Sequence, residues 1–173
     1  KAQGLTVFDV EILPTHGGSL RVFATKGKIE ITEKVSEIKQ IEVDSGLTNI
    51  KFLSQYNEKV KNTKRKLLTK LIELKTNGKK IVAYGAAAKG NTLLNYCGIK
   101  TDFIEYVCDA NIHKPGNFLP GTRIPILSPD EIKSTKPDYV LILPWNIKDE
   151  IINQLDFIRS WDGQFILPIP TLE

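Results

Sequence analysis

The chain of 173 residues is 41% hydrophobic and 25% charged, and its formal net charge is +4. These proportions are typical of a globular protein and exclude a disordered chain. No apolar run approaches the roughly 20 residues that a membrane-spanning helix needs, so we expect no membrane partner. Two cysteines and two histidines are too few for a zinc site or a disulfide framework. We therefore expect no bound metal and a reducing, cytoplasmic location.

The chain contains no methionine and opens on Lys1. A translated chain normally begins with methionine, and the first residues show no signal-peptide pattern. We therefore expect this sequence to be a piece of a longer protein.

The first part of the chain, residues 1–45, is interpreted as β structure between residues 5 and 43. Residues 5–12 alternate apolar and polar side chains, and residues 20–25 form a second candidate strand after a segment rich in Pro and Gly. Two strands alone are marginally stable, so we predict that they belong to a sheet whose other strands lie upstream. Unpaired strands can also join two copies of a chain, and a homodimer is a further expectation.

One long helix is predicted over residues 48–77, inside a linking segment of residues 46–79. Apolar residues recur there every three or four positions, and only Lys64 interrupts the stripe. Nine basic residues against two glutamates give residues 58–80 a local net charge of +7. Such a patch is compatible with nucleic-acid binding. No aromatic or glycine pattern accompanies it, so we favour a solvated helix face and no nucleic-acid partner.

Strands and helices alternate in residues 80–173. Strands are predicted at residues 80–84, 102–108, 124–126, 138–143 and 164–167, and helices at residues 91–97, from 128 onward and at 147–158. The strand at 138–143 is nearly all apolar, as expected of a strand buried on both faces. This alternation predicts an α/β fold with a Rossmann-like, doubly wound, mostly parallel sheet.

Ligands of doubly wound sheets bind outside the carboxyl ends of the strands, where the first of three candidate loops lies. Residues 85–90 read Gly-Ala-Ala-Ala-Lys-Gly. Small residues let the backbone approach a phosphate, the following helix start favours an anion, and Lys89 adds a cation. The alternative is a tight turn that needs small residues for packing. We favour phosphate binding.

The other two loops leave alternatives open. Asp109 ends a predicted strand, where an acid often bonds a ribose hydroxyl, although it could equally be a turn or cap residue. Trp145 and Asn146 follow the most buried strand and could stack on and hydrogen-bond a ring, or Asn146 could cap a helix. Lys114 and Arg123 could neutralise phosphates.

His16 is the remaining candidate for chemistry. A lone histidine is more often structural, but this one precedes Gly17 and Gly18, whose N–H groups could face a developing anion. Histidine titrates near physiological pH and suits a general base. The residues alone leave both interpretations open.

Four segments are informative together: His-Gly-Gly-Ser-Leu-Arg at residues 16–21, Tyr-Gly-Ala-Ala-Ala-Lys-Gly-Asn-Thr-Leu-Leu-Asn-Tyr-Cys-Gly at 84–98, Pro-Gly-Thr at 120–122 and Pro-Trp-Asn at 144–146. This ordered set resembles the C-terminal region of the S-adenosylmethionine-dependent C-methyltransferases that act on nucleotide-linked deoxysugars. The resemblance extends from about residue 5 onward.

In that family a small zinc-binding region and a methyltransferase domain precede a Rossmann-like C-terminal domain. The resemblance implies that residues 1–45 hold the last strands of the methyltransferase domain, that residues 46–79 link, and that residues 80–173 help to hold the sugar nucleotide. S-adenosylmethionine would bind mostly outside this chain. The chain alone is therefore expected to bind no cofactor and to have no transfer activity.

The implied chemistry begins at a keto group, which acidifies the neighbouring carbon so that a base can remove its proton and the enolate can take the methyl group. His16 matches the family histidine proposed as that base. Leu13 and Thr15 stand where some relatives carry a tyrosine and a carboxylate, so the helper groups differ. By the resemblance and by position, the substrate-binding candidates are Arg21, Tyr84, Gly85, Ala86, Ala87, Lys89, Gly90, Asn91, Asp109, Trp145 and Asn146.

The alternative function is a non-catalytic nucleotide-binding or coenzyme A-binding Rossmann module. It would use the same loop at residues 85–90 and give His16 no chemical role.

Overall fold

The computed structural model describes residues 2–15 and 18–172, which form two units. The first unit begins with an antiparallel hairpin and a helix. Strand β1 (Leu5–Leu13) pairs with β2 (Ser19–Lys26), with Val10 opposite Val22 and Ile12 opposite Leu20. Helix α1 (Glu33–Asp44) packs on β1, and Val10 and Val35 are buried. The two predicted strands are therefore present, extended by one residue at several ends.

Helix α1 contradicts the prediction of β structure through residue 43. Val35, Ile38 and Ile41 recur every three residues, with lysine and glutamate between them. That spacing places apolar side chains on one face of a helix, whereas a strand requires a period of two. The β interpretation of residues 33–43 is wrong because it extended the hairpin pattern past Gly27, where the period changes.

Helix α2 (Ile50–Thr76) is the predicted long helix, and it begins in the first unit (residues 1–59) and ends in the second (residues 60–173). Its second half buries Leu67, Leu71 and Leu74. The helix ends at the Asn-Gly pair, where Gly78 takes a left-handed conformation at φ +71° that suits glycine.

Five parallel strands form the sheet of the second unit, in the order β5-β4-β3-β6-β7. They are β3 (Ile81–Tyr84), β4 (Val107–Cys108), β5 (Ile126–Leu127), β6 (Tyr139–Ile142) and β7 (Gln164–Ile166). The helices between them are α3 (Ala88–Cys97), α4 (Glu131–Thr135) and α5 (Lys148–Gln154), with 3-10 turns at Trp145–Ile147 and Asp156–Trp161. The predicted Rossmann-like, mostly parallel sheet is confirmed.

The core lies on both faces of this sheet. Along β3, Ile81 and Ala83 join one buried cluster with α2 and α3, and Val82 and Tyr84 join another with α4 and α5. Alternate residues of a strand point to opposite faces, so the helices cover the sheet on both sides, as in a doubly wound fold.

The strand predicted at residues 102–108 is shorter than expected, because only Val107–Cys108 forms β4. Residues 101–103 instead turn, and the N–H groups of Phe103 and Ile104 both donate to the Lys100 carbonyl. Ile104 and Tyr106 are buried in the approach to β4 although they lie outside the strand.

Within the described ranges no helix is both long and apolar enough to cross a membrane. Residues 2–15 and 18–172 likewise contain no group of three or more His, Cys, Asp or Glu side chains able to hold a metal ion. Cys97 and Cys108 are free and buried.

Candidate functional site

The candidate site lies at the carboxyl ends of β3, β4 and β6. From β3 the chain passes to β4 on one side, and it later returns as β6 on the other side. The crevice at such a switch point is where doubly wound sheets bind ligands. The loops that follow these three strands are those at residues 85–90, 109–117 and 144–146.

The two glycines of the first loop are needed because neighbouring backbone and side chains approach them closely. Gly85 has φ +95°, and a Cβ there would lie 2.3 Å from Pro144 Cγ. A Cβ on Gly90 would lie 2.6 Å from Leu143 Cβ. The packing alternative therefore accounts for both glycines. The N–H groups of Gly85 and Ala87 are also used within the protein, because they donate to the carbonyls of Cys108 and Gly85.

Asp109 braces this loop from the end of β4. Its Oδ2 accepts from the Ala86 N–H at 2.8 Å and from Lys114 Nζ at 2.8 Å, and its Oδ1 accepts from the Asn111 N–H at 2.8 Å. Lys114 Nζ also donates to the Ala86 carbonyl at 2.9 Å. The two loops are thus joined by both backbone groups of Ala86. Asp109 could accept a hydrogen bond from a ribose hydroxyl, as predicted, only with the lone pairs that these three hydrogen bonds leave free.

Lys89 connects the first loop to the loop after β6. Its Nζ donates to Asn146 Oδ1 and lies 5.3 Å from the centroid of the Trp145 ring, within cation–π range. Trp145 also packs against the core cluster that contains Leu143. Three predicted site residues therefore contact one another, and both Trp145 and Asn146 are already engaged.

The side chain of Tyr84 does not face this edge of the sheet. It is buried, and its hydroxyl donates to Gln154 Oε1 at 3.2 Å on the α5 side. Burial raises the pKa of Tyr84, so the phenol stays neutral. The Tyr84 hydroxyl is therefore engaged away from the candidate loops, and the Tyr84 carbonyl accepts from the Leu143 N–H at 3.0 Å. The Asn91 side chain is engaged too, because its Oδ1 accepts from Asn95 Nδ2 at 3.2 Å, one turn further along α3.

The start of α3 carries the anion-binding potential of the site. Ala87 precedes the helix, and no capping hydrogen bond is made by its side chain. The first N–H groups of a helix have no intrahelical acceptor, and they concentrate partial positive charge. The positive charge of Lys89 is not balanced by its partner Asn146, which is uncharged, whereas Lys114 is paired with Asp109. This arrangement suits a phosphate or diphosphate.

The first unit contains the other predicted site residues. Arg21 Nη1 lies 3.1 Å from Glu11 Oε2, in a cross-strand ion pair of the hairpin. The N–H of Gly18 donates to the Thr15 carbonyl at 3.1 Å, which occupies one donor that was expected to face an anion. His16, the predicted base, lies outside the described residues.

The network of Ala86, Asp109 and Lys114 was missed from sequence, where Lys114 was only a candidate phosphate neutraliser. One signal was present. Asp109 and Asn111 stand two residues apart after a strand, a pattern typical of side chains that accept from the backbone two residues on. His113 is an exposed loop residue.

Together the parallel sheet, the helices on both faces and the small-residue turn at the switch point define a Rossmann-like domain. The chain belongs to the family of C-methyltransferase C-terminal domains, whose sequence pattern matches residues 14–170. The C-methyltransferase NovU of Streptomyces niveus is 36% identical over 176 residues, which cover 98% of this chain and 41% of that protein. The chain thus spans less than half the length of this relative. The family resemblance predicted from sequence is confirmed.

Proposed function

We propose that this chain is the nucleotide-sugar-binding part of an S-adenosylmethionine-dependent C-methyltransferase that acts on a nucleotide-linked keto-deoxysugar. Membership of the C-methyltransferase C-terminal domain family supports the class of reaction. The observation that carries the binding role is the turn at residues 85–90, which is braced through both backbone groups of Ala86 and leads into the start of α3.

A diphosphate would lie against the first turn of α3. Helix N–H groups and Lys89 would share its negative charge, and Asp109 would hold the turn in place through Ala86 and Lys114. Because the loop is braced before any ligand arrives, little conformational entropy would be lost on binding. Asn146 and Trp145 would position Lys89 from the β6 side.

The same residues do not fit S-adenosylmethionine. Its sulfonium is cationic, and Lys89 together with the positive end of α3 would repel it. We therefore assign the methyl donor, which supplies an electrophilic methyl group, to regions of the whole protein outside this chain. It follows that the chain on its own should transfer no methyl group.

In the first unit we propose that His16 is the base. Its neutral imidazole would accept the proton from the carbon beside the keto group, and the carbanion, delocalised as an enolate, would form the new carbon–carbon bond.

We further propose that the hairpin packs on the preceding methyltransferase domain. Ile12, Leu20 and Val22 are 69%, 45% and 51% exposed on its surface, which supports an apolar partner there. A homodimer and a cytoplasmic location stay predictions.

The binding role is tested by titrating the 173-residue chain with dTDP in a calorimeter. We expect saturable binding that Lys89→Met weakens by about ten-fold, because a cation next to the phosphates is lost. Lys133→Met removes the same charge from a side chain that is 62% exposed on α4 and should have no effect. Absence of dTDP binding to the folded chain would contradict the proposal, as would equal losses in both variants.

The base assignment needs the complete methyltransferase. There His16→Ala should abolish turnover and leave the affinity for the nucleotide sugar nearly unchanged, because the imidazole acts on the proton and not on the diphosphate. Exchange of the substrate's acidic proton with deuterated solvent, followed by NMR, should stop as well. Retained exchange would remove His16 as the base.

A further inference from the structure

The connection after β4 presents a highly exposed apolar side chain, that of Ile112, close in sequence to a residue that contacts the braced turn. Ile112 is 83% exposed, although isoleucine is among the residue types most often buried. It lies two residues before Lys114, whose Nζ contacts the Ala86 carbonyl. The exposed aliphatic group is therefore carried by a segment that is tied directly to the candidate phosphate loop.

This segment is held in one conformation by its own polar groups. The Asn111 N–H donates to Asp109 Oδ1 at 2.8 Å, and the His113 N–H donates to Asn111 Oδ1 at 3.0 Å. The Lys114 N–H donates to the Asn111 carbonyl at 3.0 Å. The backbone on both sides of Ile112 is thus fixed by hydrogen bonds within the segment. A ligand that covers it would lose little entropy in ordering the loop.

On the other side of the crevice, Trp145 is poorly placed to receive a base. Lys89 Nζ lies over its ring, and the indole also packs against the core. A base stacked there would have to displace a cation from a favourable position. Trp145 is therefore less available to a base than Ile112, which is 83% exposed on the β4 side.

We propose that Ile112 is a further substrate-binding residue, which contacts the base of the bound nucleoside diphosphate while the phosphates lie at the start of α3. This inference rests on the proposed function, because it assumes that the site binds a nucleotide. An aliphatic side chain covers the face of a base and makes no hydrogen bond to its edge, so it does not distinguish one base from another. Ile112 therefore adds affinity for a base in general.

The test compares dTDP with inorganic pyrophosphate, which lacks the base and the sugar. Both are titrated into the full chain and into its Ile112→Ser variant by calorimetry. We expect Ile112→Ser to weaken dTDP binding about five-fold, which corresponds to about 40 Å² of aliphatic surface no longer covered, and to leave pyrophosphate binding unchanged. Phe118→Ser is the matched control, because Phe118 is also exposed, at 63%, and lies in the same connection.

The outcomes separate this inference from the proposed function. If the unaltered chain binds dTDP and Ile112→Ser binds it equally well, the contact with the base is overturned and the nucleotide role stands. Equal weakening of dTDP and pyrophosphate would also overturn it, because the substitution would then act through the phosphate loop. Failure of the unaltered chain to bind dTDP would overturn both proposals.

Discussion

Gly85 is held at φ +95°, and the space beside it is filled by the Pro144 ring, 2.3 Å from where a Cβ would be. Gly85→Ala should therefore lower the free energy of unfolding by about 3 kcal/mol, from backbone strain and from overlap with Pro144. Gly116→Ala provides the control, because Gly116 has φ +88° and open space around its Cβ position. It should cost about 1 kcal/mol, from strain alone. Urea unfolding of both variants measures the difference.

Equal losses in the two variants would show that Pro144 moves aside without cost, and that the turn does not depend on this contact. The small residues of the turn and the acid after β4 were recognised from their order along the chain. Their partners could not be recognised in the same way. The pairing of β3 with β6 brings Pro144 to Gly85, and the pairing of β3 with β4 brings Asp109 to Ala86.

At the scale of elements, Lys64 explains an irregularity in the apolar stripe of α2. Its Nζ donates to the Tyr96 carbonyl at 2.8 Å and lies 5.1 Å from the centroid of the Tyr96 ring. The lysine thus satisfies a carbonyl in the last turn of α3, where the helix dipole favours a cation, while its stem lies along the helix interface. A polar residue at an apolar position therefore joins two helices.

Lys64→Met should keep the packing of the stem and lose the contacts of the ammonium group. We expect the free energy of unfolding to fall by about 1 kcal/mol, because the hydrogen bond is partly exposed to solvent. Lys66→Met removes an exposed lysine nearby on α2 and should change it by less than about 0.5 kcal/mol. Thermal unfolding followed by circular dichroism tests this. A Lys64→Met variant as stable as Lys66→Met would contradict the assigned role.

The elements themselves were predicted to different extents. The 3.6-residue period of α2 is strong over its whole length, and the helix was predicted nearly to its ends. Helix α1 was missed because its apolar stripe is short and follows soon after the β hairpin. No proline and no pair of glycines between them marks the change from strand to helix. The late start of β4 at Val107 was also missed, because the segment that approaches the strand buries apolar residues as the strand does.

At the scale of the whole molecule, one thiol lies on each face of the parallel sheet of the second unit. Cys97 belongs to the cluster with α2 and α3, and Cys108 belongs to the cluster with α4 and α5. Burial raises the pKa of both thiols, that of Cys108 to about 12. The thiolate is the reactive form, so both groups should be inert at pH 8 in the folded chain.

Because β3, β4 and β6 separate the two clusters and contribute to both, neither face can open without disturbing the strands that support the other. We therefore predict that the single-thiol variants Cys97→Ala and Cys108→Ala react with a disulfide reagent at pH 8 at closely similar rates. Those rates should rise together with urea as the chain unfolds. Unfolding also returns each thiol pKa to its ordinary value, so that more thiolate is present at pH 8 and the reaction is faster. If one thiol reacted rapidly while the far-ultraviolet circular dichroism stayed native, the two faces would open separately, and the sheet would not act as one cooperative unit.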